Sequence, residues 1–229
     1  MIRLENVKRT YSRHGQTVTA LQCENLRISA GEYVAVVGPS GSGKSTLLSL
    51  LGGMLSPTSG RIWLDDTSVY EQSVVARSAI RRERMGFVFQ TFNLIPYLTA
   101  LENVQVPLAL NNVSPIHQVG LATAMLQRFG LGDRLNHKPS EMSVGQQQRV
   151  ALARTLVNDP QIILADEPTG NLDPTSREVV LKAFDTCYDE GRTIITVTHD
   201  LTAAARAKRR LVLNDGQISE ESLSRVKVA

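Results

Sequence analysis

Long apolar runs are absent from this chain. No stretch approaches the ~20 apolar residues of a membrane-spanning helix, and Met1-Ile2-Arg3-Leu4-Glu5-Asn6 lacks the apolar core of a signal peptide. A protein soluble by itself is expected, with any membrane role exerted through a partner. Cysteine is scarce: Cys23 and Cys187 stand far apart with no metal-ligand spacing, which points to two reduced thiols in a cytosolic protein. Charge of one sign is also missing. Lys and Arg total 25 against 22 Asp and Glu, for a net +3, and the basic residues are dispersed. This gives little support to a nucleic-acid or anionic-lipid partner. The clusters Arg81-Arg82-Glu83-Arg84 and Arg206-Ala207-Lys208-Arg209-Arg210 read as solvated faces. No repeat or low-complexity segment is visible. What is present, 229 residues with 42% hydrophobic content, suffices for one domain with its own core and an inserted lobe.

Residues 2–8 and 16–28 read as strands joined by a polar turn at Ser12-Arg13-His14-Gly15. Buried strands are expected at 33–37 and 161–165, from continuous apolar runs, and further strands at 61–64, 86–89, 193–198 and 210–214. Helices are expected at 44–53, 174–189 and 200–207. Residues 91–158 read as mostly helical, broken at Pro96, Pro107, Pro115 and Pro139. Strands alternating with helices imply a mostly parallel sheet.

Gly38-Pro39-Ser40-Gly41-Ser42-Gly43-Lys44-Ser45, followed by Thr46, fits the phosphate-binding pattern G-x-x-x-x-G-K-[ST] between a strand-like and a helix-like run. Glycines let backbone N–H groups turn inward around phosphate oxygens, and the following helix presents its positive end. Lys44 is expected on the β- and γ-phosphates and the Ser45 hydroxyl on Mg²⁺. Asp166-Glu167 closes an apolar strand, where two carboxylates are costly without a role. Asp166 is expected to hold Mg²⁺ and Glu167 to polarise water; the ordinary alternative is a cap on the next turn.

These motifs, with Gln90, Ser143-Val144-Gly145-Gln146, Asn171-Leu172-Asp173 and His199, occur in the order found in ATP-binding-cassette ATPases. The chain resembles that family over nearly its whole length. The resemblance implies an α/β P-loop fold with a RecA-like parallel core, an N-terminal antiparallel β subdomain and a helical lobe. One domain, 1–229, is expected, with core at 1–90 and 159–229 and lobe at 91–158. It implies ATP and Mg²⁺ as ligands. Tyr11 would stack on adenine, unless it is merely a solvent-edge strand tyrosine. Gln90 would touch Mg²⁺ or water, unless it is merely a strand-end polar residue. Asp173 would link two facing sites, and His199 would contact the γ-phosphate. Ser143, Val144, Gly145 and Gln146 would act on the nucleotide of an opposing copy, so an ATP-dependent homodimer is implied. Val144 departs from the commoner glycine.

Gln90-Thr91-Phe92-Asn93-Leu94-Ile95-Pro96-Tyr97-Leu98-Thr99-Ala100-Leu101-Glu102-Asn103-Val104 and Glu167-Pro168-Thr169-Gly170-Asn171-Leu172-Asp173 resemble the lipoprotein-releasing and macrolide-exporter subfamily, with the FtsE cell-division ATPase a near relative. That likeness implies a peripheral subunit on the cytoplasmic face of the membrane, serving a separate permease with an extracytoplasmic domain in export, lipoprotein release or mechanotransmission. Phe92, Leu94, Ile95 and Leu98 would then form the permease groove, or equally the core of the lobe. No nucleic acid is expected. A soluble cassette ATPase on DNA or the ribosome is the alternative, but the chain lacks the long coiled coil or second cassette of those members. A P-loop kinase or GTPase would lack the signature serine and switch histidine.

Overall fold

A computed structural model describes residues 1–13, 16–170 and 172–220; His14, Gly15 and Asn171 of the motifs above lie outside them. Among the described residues ten strands join in one sheet, in the order β5-β4-β1-β2-β10-β9-β3-β8-β7-β6. One end is antiparallel: β1 (Ile2–Arg13), β2 (Gln16–Ile28), β4 (Ser59–Leu64) and the short β5 (Thr67–Ser68). The other is parallel: β3 (Tyr33–Val37), β6 (Met85–Val88), β7 (Ile162–Asp166), β8 (Thr193–Thr198) and β9 (Arg209–Asn214). β10 (Gln217–Glu220) stitches the two ends, antiparallel to β9 and parallel to β2 through Gln217.

The parallel strands are apolar on both faces because each face has its own core. Side chains alternate between them with period two. Val34, Val36, Ile162, Leu164, Ile195 and Val197 enter one core, shared with Leu47, Leu50 and Leu51 of helix α1 (Lys44–Leu51) and with the antiparallel strands. Tyr33, Ile163, Ala165 and Ile194 enter the other. There they meet α3 (Ala100–Leu110), α4 (Pro115–Arg128), α5 (Val144–Leu156) and α6 (Pro174–Asp189). Both cysteines are buried and free.

Several expectations need correction. Pro107 does not break a helix; it sits inside α3. Buried Val104 and Leu108 and a Thr99–Glu102 capping box hold that helix together across the missing N–H. Helix α2 (Val74–Arg84), capped by Ser73, was not foreseen; no residue on it is fully buried, and Ile80 packs against the core only in part. α7 covers only Leu201–Ala204. β1 runs on to Arg13. The basic clusters lie on partly exposed surfaces and carry ion pairs there. Arg84 pairs with Asp65, Arg206 with Glu178 and Asp185, and Arg209 with Glu32 and Glu220. Arg81 donates to the Gly53 carbonyl at 2.9 Å. Among the described residues, no helix is long and apolar enough to cross a membrane.

Candidate functional site

The carboxyl ends of neighbouring parallel strands open on one side of a sheet, where α/β proteins place their ligands. Register makes this concrete. Val37, the last residue of β3, pairs with Thr198 on β8, and Asp166, the last of β7, pairs with Val197. The loop after β3, Asp166-Glu167 and His199 therefore converge, and Gln90 follows β6 nearby. They line a cleft of about 400 Å³ with Ser40, Gly41, Gly43, Lys44, Ser45, Thr46 and Ala20.

The loop is closed on its own lysine. Lys44 is 9% exposed, and its Nζ donates to the carbonyls of Gly38 at 2.8 Å and Pro39 at 2.9 Å. Gly43, the N-cap of α1, has a φ of 107°, and no side-chain cap closes the helix. The N-terminal amides of α1 are thus presented toward the cleft, a natural anion site. Buried Ser42 Oγ has no hydrogen-bond partner among the described residues. These features fit a polyphosphate. Ser45 and Asp166 line the cleft together, and with the Gln90 amide nearby the set offers hard oxygen donors of the kind Mg²⁺ takes. Burial raises the Asp166 pKa, with Ser45 and Lys44 opposing.

Glu167 has a left-handed backbone, φ 45°. Its carboxylate receives the Thr198 hydroxyl at 3.0 Å and the His199 backbone N–H at 3.1 Å, and His199 Nδ1 lies 2.8 Å from Oε1. Thr198 carried no signal in the sequence beyond standing next to His199.

The signature residues are elsewhere. Ser143 caps α5 in a capping box with Gln146, at 3.2 and 2.9 Å, and none of residues 143–146 lines the cleft. Their neighbour is Asp173, which caps α6 by accepting from the Thr175 and Ser176 N–H groups. Gly145 lies so close to α6 that a Cβ there would stand 2.1 Å from Ser176 Oγ. Buried Gln148 of α5 donates to the Pro168 carbonyl at 2.8 Å, a tie to the loop after Glu167 that sequence reasoning missed.

Tyr11 is not among the cleft-lining residues. It pairs with Val18, two residues before Ala20 on β2, and the Arg9 guanidinium lies 4.6 Å above its ring. Of Phe92, Leu94, Ile95 and Leu98, expected in a groove or in the core of the lobe, two pack inward. Phe92 and Leu94 pack against the core of the lobe. An apolar cleft of about 580 Å³ between lobe and sheet is lined instead by Met54, Phe87, Phe89, Val106, Pro107 and Leu110, with Arg81, Arg82 and Arg154 among its polar lining. Arg154 of α5 donates to the Phe92 and Asn93 carbonyls at 2.7 and 2.6 Å, fixing the segment after Gln90.

Comparison with known proteins agrees with this geometry. The family model described as "ABC transporter" matches residues 21–170. The chain is 46% identical over 223 residues to a macrolide export ATP-binding/permease protein, MacB, of Bartonella quintana, covering 97% of this chain and 34% of that protein. It spans about a third of the length of this relative. It is 45% identical to the ABC transporter ATP-binding protein YvrO of Bacillus subtilis, covering 95% of each. The solved ATP-binding cassette MJ0796, a dimer bound to ADP and phosphate, superposes with a TM-score of 0.90 at 41% identity, covering 97% of this chain and 98% of that one. That cassette is from Methanocaldococcus jannaschii.

Proposed function

The chain belongs to the ABC transporter ATP-binding family, and from that premise we propose that it is the ATPase subunit of a transporter, working as a homodimer beneath a separate permease. One observation carries the reading. The phosphate cleft gathers Lys44, Asp166, Glu167 and His199, whereas Ser143 and Gly145 lie outside it beside Asp173. Each chain thus holds two half-sites, and an opposing copy completes both. Ser143 Oγ accepts from its own Gln146 N–H, so its hydroxyl proton remains to be donated to a phosphate of the facing chain. The α5 N-terminus adds positive potential there, with Val144 half-exposed beside it.

Within the cleft, residues 38–46 and Lys44 hold the phosphates, and Tyr11 offers adenine the ring face that Arg9 leaves open. Ser45, Asp166 and Gln90 would hold Mg²⁺, which when bound offsets phosphate charge. Glu167 accepts the proton of the attacking water, and His199 turns its exposed ring to the γ-phosphate. Asp173 lies where the two chains meet. The apolar cleft of Phe87, Phe89 and Leu110 receives a short cytoplasmic helix of the permease. The likeness to MacB, an ATP-binding/permease protein, supports a permease partner; an extracytoplasmic domain on that permease and a place for this subunit on the cytoplasmic membrane face belong to the same proposal.

The test is Glu167→Gln, which keeps the shape and removes the base. Hydrolysis should fall ~10²–10⁴-fold while ATP still binds, so that a dimer accumulates in size-exclusion chromatography with ATP and Mg²⁺. A variant that stays monomeric and hydrolyses at the parental rate removes Glu167 from this role.

A further inference from the structure

We propose that Thr198 is the positioning residue that keeps Glu167 set for proton transfer when His199 turns to the nucleotide; the inference rests on the ATPase reading above. The left-handed backbone of Glu167 does not by itself hold its carboxylate. Three donors do, and they are not equivalent. The His199 side chain is 68% exposed, lines the cleft and reaches Oε1 through Nδ1 at 2.8 Å. A phosphate in the cleft competes directly for that ring. The His199 N–H, at 3.1 Å from Oε1 and 3.3 Å from Oε2, is shared between the two oxygens and does not select one orientation.

Thr198 is different. It is wholly buried, and its Oγ1 donates to Oε2 at 3.0 Å. The same oxygen accepts the Asp200 N–H at 3.0 Å. With that lone pair occupied, the hydroxyl proton is directed at the carboxylate. Asp200 is itself held, capping α7 through the Thr202 N–H at 2.8 Å and pairing with Arg177 at 3.4 Å. Thr198 also pairs with Val37, the residue before the phosphate loop. The hydroxyl therefore fixes Glu167 relative to the phosphates by a path that excludes the His199 ring. Loss of the ring to the nucleotide leaves this contact intact.

The test compares Thr198→Val, close in shape but without the hydroxyl, with Thr198→Ser, which keeps it, in the full chain with MgATP. Losing a hydrogen bond to a charged group should lower kcat ~10–100-fold in Thr198→Val, with KM and the ATP-induced dimer within about twofold of the parent. Thr198→Ser should recover kcat to within about threefold. In a Glu167→Gln background Thr198→Val should change the residual rate less than about twofold, because the residue acts only through Glu167. Equal losses in both backgrounds overturn the proposal, as does a Thr198→Val chain with parental kcat, or a Thr198→Ser chain as slow as Thr198→Val. Melting temperatures confirm folding, and Thr198→Ala replaces Thr198→Val if the latter does not fold. Parental hydrolysis in Glu167→Gln alone refutes the role of Glu167; a slow Glu167→Gln with a fast Thr198→Val refutes only the role of Thr198.

Discussion

Two glycines of the phosphate loop should respond differently to the same added methyl. Gly41 and Gly43 both have positive φ, 80° and 107°. Alanine at either site carries backbone strain of ~1–3 kcal/mol. At Gly41 nothing stands within 4 Å of the new Cβ, so strain is the whole effect. At Gly43 the Cβ would stand 2.2 Å from the Ala20 carbonyl oxygen, which is backbone of β2 and cannot swing aside. Relief requires α1 or β2 to shift, an overpacking cost of ~1–3 kcal/mol on top of the strain. For a domain of this size each kcal/mol moves Tm by ~2–4 °C. Gly43→Ala should therefore melt ~2–12 °C below Gly41→Ala. Calorimetry without nucleotide isolates this from ligand contacts. Equal melting temperatures would show that the approach of β2 to the loop does not constrain the glycine.

The shared site can be tested by mixing. Lys44→Ala and Ser143→Arg chains should each be inactive, and heterodimers, verified by light scattering, should regain partial ATPase activity through one complete composite site; an ATP-dependent crosslink between chains from Ser40→Cys to Ser143→Cys checks the geometry, and crosslinking only within a chain would overturn it. Tyr70 donates to the Leu50 and Leu55 carbonyls, at 2.6 and 2.5 Å, and burial lifts its pKa from 10.0 to about 12. Because the folded value is the higher one, its stabilisation is full below pH 10 and lost as pH rises through 12. Tyr70→Phe should cost ~1 kcal/mol at pH 8, and the gap to the parent should narrow between pH 10 and 12; a gap constant across that window in denaturant titrations refutes this.

The motifs were legible because they are local. A glycine loop between an apolar strand and a helix, a carboxylate pair ending a second apolar strand, and Asp173 before Pro174 each follow from a few adjacent residues. The long helix 174–189 and the strand 193–198 were readable for the same reason, and both are found at those bounds. Helix α2 was not, because its apolar contact is slight: no residue on it is fully buried, and Ile80 packs on the core only in part. The continuity of α3 through Pro107 was not, because packing of Val104 and Leu108 overrides the local signal. The stitch made by β10 depends on partners distant in sequence.

The site divides the same way. Sequence alone offered the residues proposed to grip phosphate and the carboxylate proposed to accept a proton, since those proposals follow from side-chain chemistry and short spacing. Only tertiary structure decided that Thr198 secures Glu167, that Arg154 fixes the segment after Gln90, and that Ser143 stands with Asp173 outside the cleft. Those relations arise from the strand order β3-β8-β7-β6 and from the packing of α5 on α6. No local pattern encodes them, because each joins residues that only the folded chain brings together.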